Sequence, residues 1–253
     1  MNIENKTHPL TSGQNSLINK YVNTDLALLN KASNYRDWLF SLIEPYLGQR
    51  LLEIGAGIGN HTRKLLGREL ILATDSEREY VDLLAEKFQK TPEVKVRQLD
   101  LANIEKDSQE FILRQRIDTA IIMNVLEHVE FDLQALADLK DCLTEKGKIV
   151  LIVPAVKALF SKLDLAYGHY RRYNRADLLH LAGEAGLDVE QCRYFNFAGL
   201  FGWWASIMLT RRRSLPEKQT LLFDRLVPFL KFCEERIISP PIGLSVLCVF
   251  SKR

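Results

Sequence analysis

The chain has 253 residues, 47% of them hydrophobic, enough to bury a substantial core in one large domain or two small ones. Its 34 basic and 32 acidic residues leave a formal net charge of +2, which gives no overall electrostatic reason to expect a polyanionic partner. Cys142, Cys192, Cys233 and Cys248 stand far apart with no CxxC pair and no nearby histidine cluster, a pattern that argues against a zinc site or a disulfide framework and predicts four reduced thiols. The N-terminus lacks a basic start followed by an apolar segment, so no secretory signal is expected and the protein is placed in the cytoplasm.

Residues 1–16 are polar and read as a loose arm. From Leu17 apolar residues recur at helical spacing through Leu26, Leu28 and Leu29, and again through Tyr35, Trp38, Leu39, Leu42 and Ile43, until Pro45 and Gly48 end the pattern. Two helices are therefore predicted within a unit spanning 1–48, ahead of a main domain at 49–253. Five short β-rich runs follow at 50–54, 69–75, 94–100, 117–124 and 148–154, with helical segments between them at 60–66, 76–89, 104–114 and 133–143. Runs as continuously apolar as KIVLIVP are the mark of strands buried on both faces of a parallel sheet. Asn174 then caps a helix that ends at Gly186, and further strands are expected at 188–197 and 243–250. The fold class is α/β, a doubly wound, Rossmann-like, seven-stranded mixed sheet with N-terminal helices and a helical insertion at about 198–242. That insertion is too long for an ordinary loop and reads as a lid, an interface or a docking surface. It overlaps residues 194–210, which carry no charge over 17 positions, the lower limit for a membrane span; Asn196 and two glycines argue against spanning.

The first strand runs into Gly55-Ala56-Gly57-Ile58-Gly59. A strand that ends in such a loop and enters a helix offers unpaired N–H groups to a ligand lying against bare main chain. Dinucleotides and S-adenosylmethionine both use this device, but Asn60 occupies the position of the third glycine of the nicotinamide fingerprint. Polar side chains stand at the carboxyl ends of the first four strands: Glu53 near the end of the first, with Asp75, Asp100 and Asn124 ending the next three. Each alone could cap the following helix; together they converge on the crevice where open α/β sheets bind ligands. At the end of the second strand Asp75 is placed to accept both hydroxyls of a ribose.

These residues, from LLEIGAGIGN through ATD, QLD and MNVLEHV to KGKIVLIVPA, resemble the class I S-adenosylmethionine-dependent methyltransferases over about residues 35–190. The stretch from LFSKLDLAYGHYRRYN to GLFGWW is similar to a bacterial subgroup of small methyltransferases linked with glycan or lipid pathways. The resemblance implies that S-adenosylmethionine is the cofactor and that Gly55, Ala56, Gly57 and Gly59 face its methionine part, with Glu53 fixing its amino group. It implies further that Asp75 and Ser76 meet the ribose and that Asp100 and Leu101 border the adenine. Asn124 with the Leu126-Glu127-His128 turn would close the site near the sulfonium, and Tyr35 and Arg36 would fold over the cofactor, the arginine pairing with its carboxylate.

A sulfonium already activates the methyl group, so the protein's task is alignment and exclusion of water, and no metal is required by that chemistry. If the acceptor is a hydroxyl, a base must take its proton; His128 and His169 are the candidates, each with a plain packing role as the alternative. Tyr167, Tyr170, Arg171, Arg172 and Tyr173 form an aromatic and basic cluster that could line an acceptor pocket and clamp an anionic group, or could pack on itself. Trp203, Trp204 and Arg211 to Arg213 could meet a membrane surface at the inner face, a lid or a second copy of the chain. The reading is methyl transfer to a small-molecule, lipid or glycan acceptor, preferably at oxygen: Ile122-Met123-Asn124-Val125 stands where enzymes that methylate base amines carry an Asn/Asp-Pro-Pro-Tyr motif, and no added basic module for nucleic acid is present. Alternatives are a cofactor-binding scaffold subunit without catalysis and an NAD-dependent oxidoreductase.

Overall fold

The computed structural model describes residues 31–205, 217–236 and 240–253. The expected polar arm, the first N-terminal helix and Arg211 to Arg213 lie outside the described residues. Described elements are α1 (Ser33–Ile43), β1 (Arg50–Ile54), α2 (Thr62–Leu65), β2 (Leu70–Asp75), α3 (Arg78–Lys87), β3 (Val94–Gln98), α4 (Lys106–Gln115) and β4 (Thr119–Met123). They continue with α5 (Asp132–Asp141), β5 (Lys148–Pro154), α6 (Lys162–Ala166), α7 (Arg175–Glu184), β6 (Leu187–Phe195), α8 (Phe197–Trp203), α9 (Glu217–Arg236) and β7 (Ser245–Lys252). The seven strands form one sheet in the order β3-β2-β1-β4-β5-β7-β6, parallel except that β7 runs antiparallel to both neighbours.

Alternation along the central strands divides the core into two layers. Leu52, Leu72, Ile122 and Leu151 face one side with residues of α4, α5 and α7, including Ile112, Leu136, Leu139 and Leu178. Their neighbours Leu51, Ile71, Ile121 and Val150 face the other, against Trp38, Leu39 and Leu42 of α1, Leu65 of α2 and Val227 of α9. From β1 the chain winds outward through β2 and β3, then returns to place β4 and β5 on the other side of β1, so its winding reverses between β1 and β4, and the crevice at their carboxyl ends is where a ligand is expected.

The expected insertion contains α8 and α9, and α9 is tied down by its own carboxylates. Asp224 accepts the Tyr35 N–H at 2.8 Å in the first turn of α1, where helical N–H groups have no internal partner. Pro228 cannot donate to the carbonyl of residue 224, and Asn34 Nδ2 donates to that oxygen instead at 3.1 Å. Glu234 accepts the N–H groups of Asn196 and Phe197 at 2.8 and 2.6 Å, at the start of α8. Asn196 itself takes a left-handed conformation and caps α8. The uncharged run beginning at residue 194 is thereby broken between a strand end and a separate short helix, and no described helix is long and apolar enough to cross a membrane. The expectation of four independent thiols needs correction: Cys192 and Cys248 are register partners on β6 and β7 and form a disulfide, while Cys142 and Cys233 are free. Strand register, invisible in linear spacing, brings them together.

Candidate active site

Three glycines enter the turn after β1 with positive φ, but they do different work. A Cβ at Gly55 would lie 2.4 Å from Val125 Cγ2, and one at Gly59 would lie within 3 Å of Phe88 and Leu84; these two are needed for the protein's own packing. Gly57, with φ of +53°, has open space where its side chain would be. Its N–H donates to Asp75 Oδ2 at 2.8 Å, and Asp75 Oδ1 accepts the Glu77 N–H at 3.1 Å. The second strand's carboxylate is therefore locked to the first strand's loop. Burial pushes the Asp75 carboxyl above its ordinary range, with the backbone donors acting against that shift.

Glu53 is buried inside β1 and accepts a 2.6 Å hydrogen bond from the Thr62 hydroxyl. Burial raises its pKa to about 7, against the hydrogen bond from Thr62. Nearby His61 is pushed down to about 4 by burial and then by the charge of Arg36, which places the Arg36 guanidinium beside the helix that follows the glycine loop. At the tip of β4, Asn124 adopts φ of +52° and is exposed, and a single 3-10 turn, Leu126–His128, follows.

A second cluster sits behind that turn. His128 and His169 meet edge to face, with ring centroids 4.6 Å apart. His169 Nδ1 lies 3.2 Å from Asp164 Oδ1, and its Nε2 lies 4.0 Å from Glu127 Oε1. Glu127 is fully enclosed, and burial raises its pKa to about 8. His128 is pushed down to about 4 by burial and then by His169, although its side chain remains accessible at one edge. Asp164 is also enclosed; burial would raise its pKa, but His169, Arg172 and Ser161 together hold it below the usual carboxylate value.

Residues 17–192 match the methyltransferase domain family. The chain belongs to this family. S-adenosylmethionine is the cofactor of the methyltransferase, and Gly57 supplies the fit: the site leaves open room against bare main chain, with two buried carboxylates beside it. Its fold is shared with an S-adenosylmethionine-dependent methyltransferase from Mesorhizobium loti (TM-score 0.57, 13% identity, covering 85% of this chain and 98% of that one). A second such structure, a SAM-dependent methyltransferase from Archaeoglobus fulgidus, has a TM-score of 0.53 at 17% identity, covering 88% and 94%. Among curated proteins, the tRNA U34 carboxymethyltransferase of Pseudomonas putida (strain GB-1) is 27% identical over 122 residues, 46% of this chain, and the match spans 37% of that relative's length.

The remaining expected site residues of the methyltransferase fall into three groups. Ala56 is buried, its N–H bonded to the Thr74 carbonyl at 2.8 Å, and Leu101 and Leu126 are buried in the core. Ser76 and Asp100 are exposed at the carboxyl edge; Asp100 Oδ1 accepts the Ala102 N–H at 2.9 Å in the turn after β3, four residues short of the helix that follows at Lys106. Tyr35 is held by the insertion and the last strand. It packs edge-on against Trp38 and Phe223, and its phenol, raised by burial, bonds to the side chains of Asn196 and Ser245.

The aromatic and basic cluster separates in the same way. Arg172 is buried, donating to Asp164 Oδ1 at 2.7 Å and to the Ala155 carbonyl at 3.2 Å, with its guanidinium over the Trp203 ring. Tyr173 is buried and donates to Asp132 Oδ2 at 2.8 Å. These two hold the loop in place, whereas Tyr167 lies beside His169 and Tyr170 is exposed. Arg171 is engaged with Asp132 and the Glu130 carbonyl, at the rim of a surface hollow of about 210 Å³ that also borders Lys157 and Glu184. A more apolar hollow of about 360 Å³ lies between Val156 and Leu159, just past β5, and Leu200, Phe201 and Trp204. Neither hollow includes the glycine loop. Sequence reasoning misses Asp164 and the apolar hollow; Glu127 is legible as part of the turn after β4, but its burial is not.

Proposed function

We propose that the enzyme transfers a methyl group to an oxygen of a small-molecule, lipid or glycan-linked acceptor. Support comes from the open space at Gly57 flanked by Asp75 and Glu53, with an apolar hollow formed by Val156, Leu159, Leu200, Phe201 and Trp204 further along the same carboxyl edge. When bound, S-adenosylmethionine supplies a methyl already activated by positive sulfur. The Gly57 main chain leaves room for it, Asp75 receives the ribose hydroxyls, Glu53 in its ionised form meets the amino group, and Arg36 meets the carboxylate. Asn124 closes the edge over β4. His128 and His169 stand on the acceptor side, where a hydroxyl's proton would be received; the neutral ring of His128 is free to accept one. The hollow's apolar walls favour an acceptor with a hydrocarbon portion.

On the outer face, α9 turns Leu222, Leu226, Phe229 and Phe232 to solvent at helical spacing, which favours contact with a membrane surface or a second copy of the chain. Size-exclusion chromatography and vesicle flotation separate those two partners. A tRNA acceptor is the second reading, favoured by the Pseudomonas relative alone; the near-balanced charge of the chain offers it no support. Incubation with methyl-labelled cofactor and fractionated cell extract, followed by mass spectrometry, decides between them. Label in an oxygen-linked methyl of a lipid or small-molecule fraction is expected. Label confined to the RNA fraction would overturn the proposal.

A further inference from the structure

We propose that Glu127, His128 and His169 form a binding site for a divalent transition-metal ion. One donor atom from each lies within 4.8 Å of the other two. Glu127 is 0% exposed, and neither carboxylate oxygen accepts a hydrogen bond from another residue, so the nearby Arg172 charge offsets its burial only in part. Burying such a group unpaired is costly, and a cation at this point offsets the cost. The adjacent Arg172 does not fill the role, because its hydrogen bonds go to Asp164 and to the Ala155 carbonyl.

The two imidazoles are held as metal-binding histidines are held, by a hydrogen bond at the other side of the ring. Asp164 faces His169 Nδ1 at 3.2 Å, leaving Nε2 directed toward Glu127. The His128 ring is bonded to the Gly168 backbone. With the two rings at 89°, their nitrogens can converge on one point without stacking. Ligand bonds of about 2.0–2.2 Å put donor atoms roughly 3–3.5 Å apart, so the cluster must tighten on binding. His128, with its side chain accessible, is the member able to swing inward.

Two nitrogens and one carboxylate select zinc, manganese, iron or cobalt over calcium or magnesium. Three protein ligands leave coordination positions open, as in sites where a metal also takes an exogenous oxygen. What the ion does rests on the oxygen-transfer reading above, but whether it binds does not. An acceptor hydroxyl in an open position would give up its proton to water more readily, and the histidines would then act as ligands rather than as proton acceptors.

The test is titration of the chelator-stripped full chain with Co²⁺ at pH 7.5, followed by visible absorption. Saturable one-to-one binding that Zn²⁺ displaces is expected, with at least a ten-fold loss of affinity in Glu127→Gln and in His169→Ala. His180→Ala, at an exposed histidine on α7, should bind as the unaltered protein does. Should Glu127→Gln fail to fold, His128→Ala, at an accessible side chain, gives the same reading. Absence of saturable binding, or equal affinity in Glu127→Gln and His169→Ala, overturns the proposal. Saturable binding by a protein that methylates no oxygen acceptor supports the metal site and overturns the function proposed above.

Discussion

Over β1 and β2 the carboxyl edge of the sheet is shaped by main chain; over β4 and β5 it is shaped by side chains. The first region rests on a short loop and the strand after it: three glycines that permit positive φ, and Asp75 at the end of that strand to accept the Gly57 N–H. In the second, Glu127, Asp164, His169 and Arg172 arrive from separate turns and meet only because the loop after β5 folds back, with Tyr170 N–H bonded to the Glu127 carbonyl at 2.8 Å. A site built from backbone conformation is robust to drift elsewhere, whereas one built from converging side chains depends on the register of several loops. The difference predicts that substitutions in the first region change cofactor affinity and those in the second change acceptor chemistry.

The sharpest test of that division lies within the glycine loop. Gly57→Ala should lower affinity for S-adenosylhomocysteine about 100-fold or more, since the new Cβ fills ligand space and a non-glycine residue at φ of +53° is disfavoured by roughly 1–2 kcal/mol. Isothermal calorimetry on the folded variant reads this directly; near-normal affinity would remove the loop from the cofactor site. Asp75→Ala comes next, with binding expected to weaken by about 1.5–3 kcal/mol, the scale for hydrogen bonds to a charged group. This variant also frees the Gly57 and Glu77 N–H groups, so its melting temperature should fall as well. Unchanged affinity in a folded Asp75→Ala protein would refute the ribose role.

Gly55→Ala sharpens the contrast because its cost should be structural. The added methyl meets Val125 at 2.4 Å, and overpacking of this kind typically costs about 1–3 kcal/mol. Chemical denaturation should show that loss, while the residual folded protein binds S-adenosylhomocysteine far better than Gly57→Ala does. Equal loss of binding in both would mean that the three glycines act as one unit.

The sheet was legible in the sequence because its signals are local. KIVLIVP is apolar throughout since β5 is covered on both faces, and each central strand was placed to within a few residues. Strand ends were read too long where a polar residue already belongs to the turn. Asp100 lies beyond β3, and Asn124, at positive φ, lies beyond β4. The glycine loop and Asp75 were legible for the same reason, but which glycine borders open space was not, because that depends on Val125, Phe88 and Leu84, residues that a linear pattern does not bring near. Arg172 shows the limit most clearly. Next to Arg171 and between tyrosines it reads as a surface clamp, yet it is buried against Asp164 and Trp203, and only the tertiary fold distinguishes the two arginines. The disulfide partners Cys192 and Cys248 were hidden likewise by strand register.

Glu53 joins the two kinds of construction, being a strand residue whose contribution is a titration. Its folded pKa is raised from 4.5 to about 7, so between those values the native protein holds a proton that the unfolded chain has lost. Stability from this group is therefore full below about pH 4.5 and falls as pH rises through about 7, by up to about 1.4 kcal/mol per pH unit. His61, lowered to about 4, acts in the opposite sense between pH 4 and 6.5, where the unfolded chain takes up the proton. Comparing the unaltered protein with Glu53→Gln by denaturation isolates the first contribution, since both proteins carry His61. If Glu53 also meets the cofactor's amino group, ligand affinity should move the other way and rise as pH passes 7, because the carboxylate must be ionised to pair with an ammonium. The Glu53→Gln variant should lose that rise while keeping its fold. A stability slope without the matching affinity slope would leave Glu53 as a buried partner of Thr62 and move recognition of the amino group to the main chain of the loop.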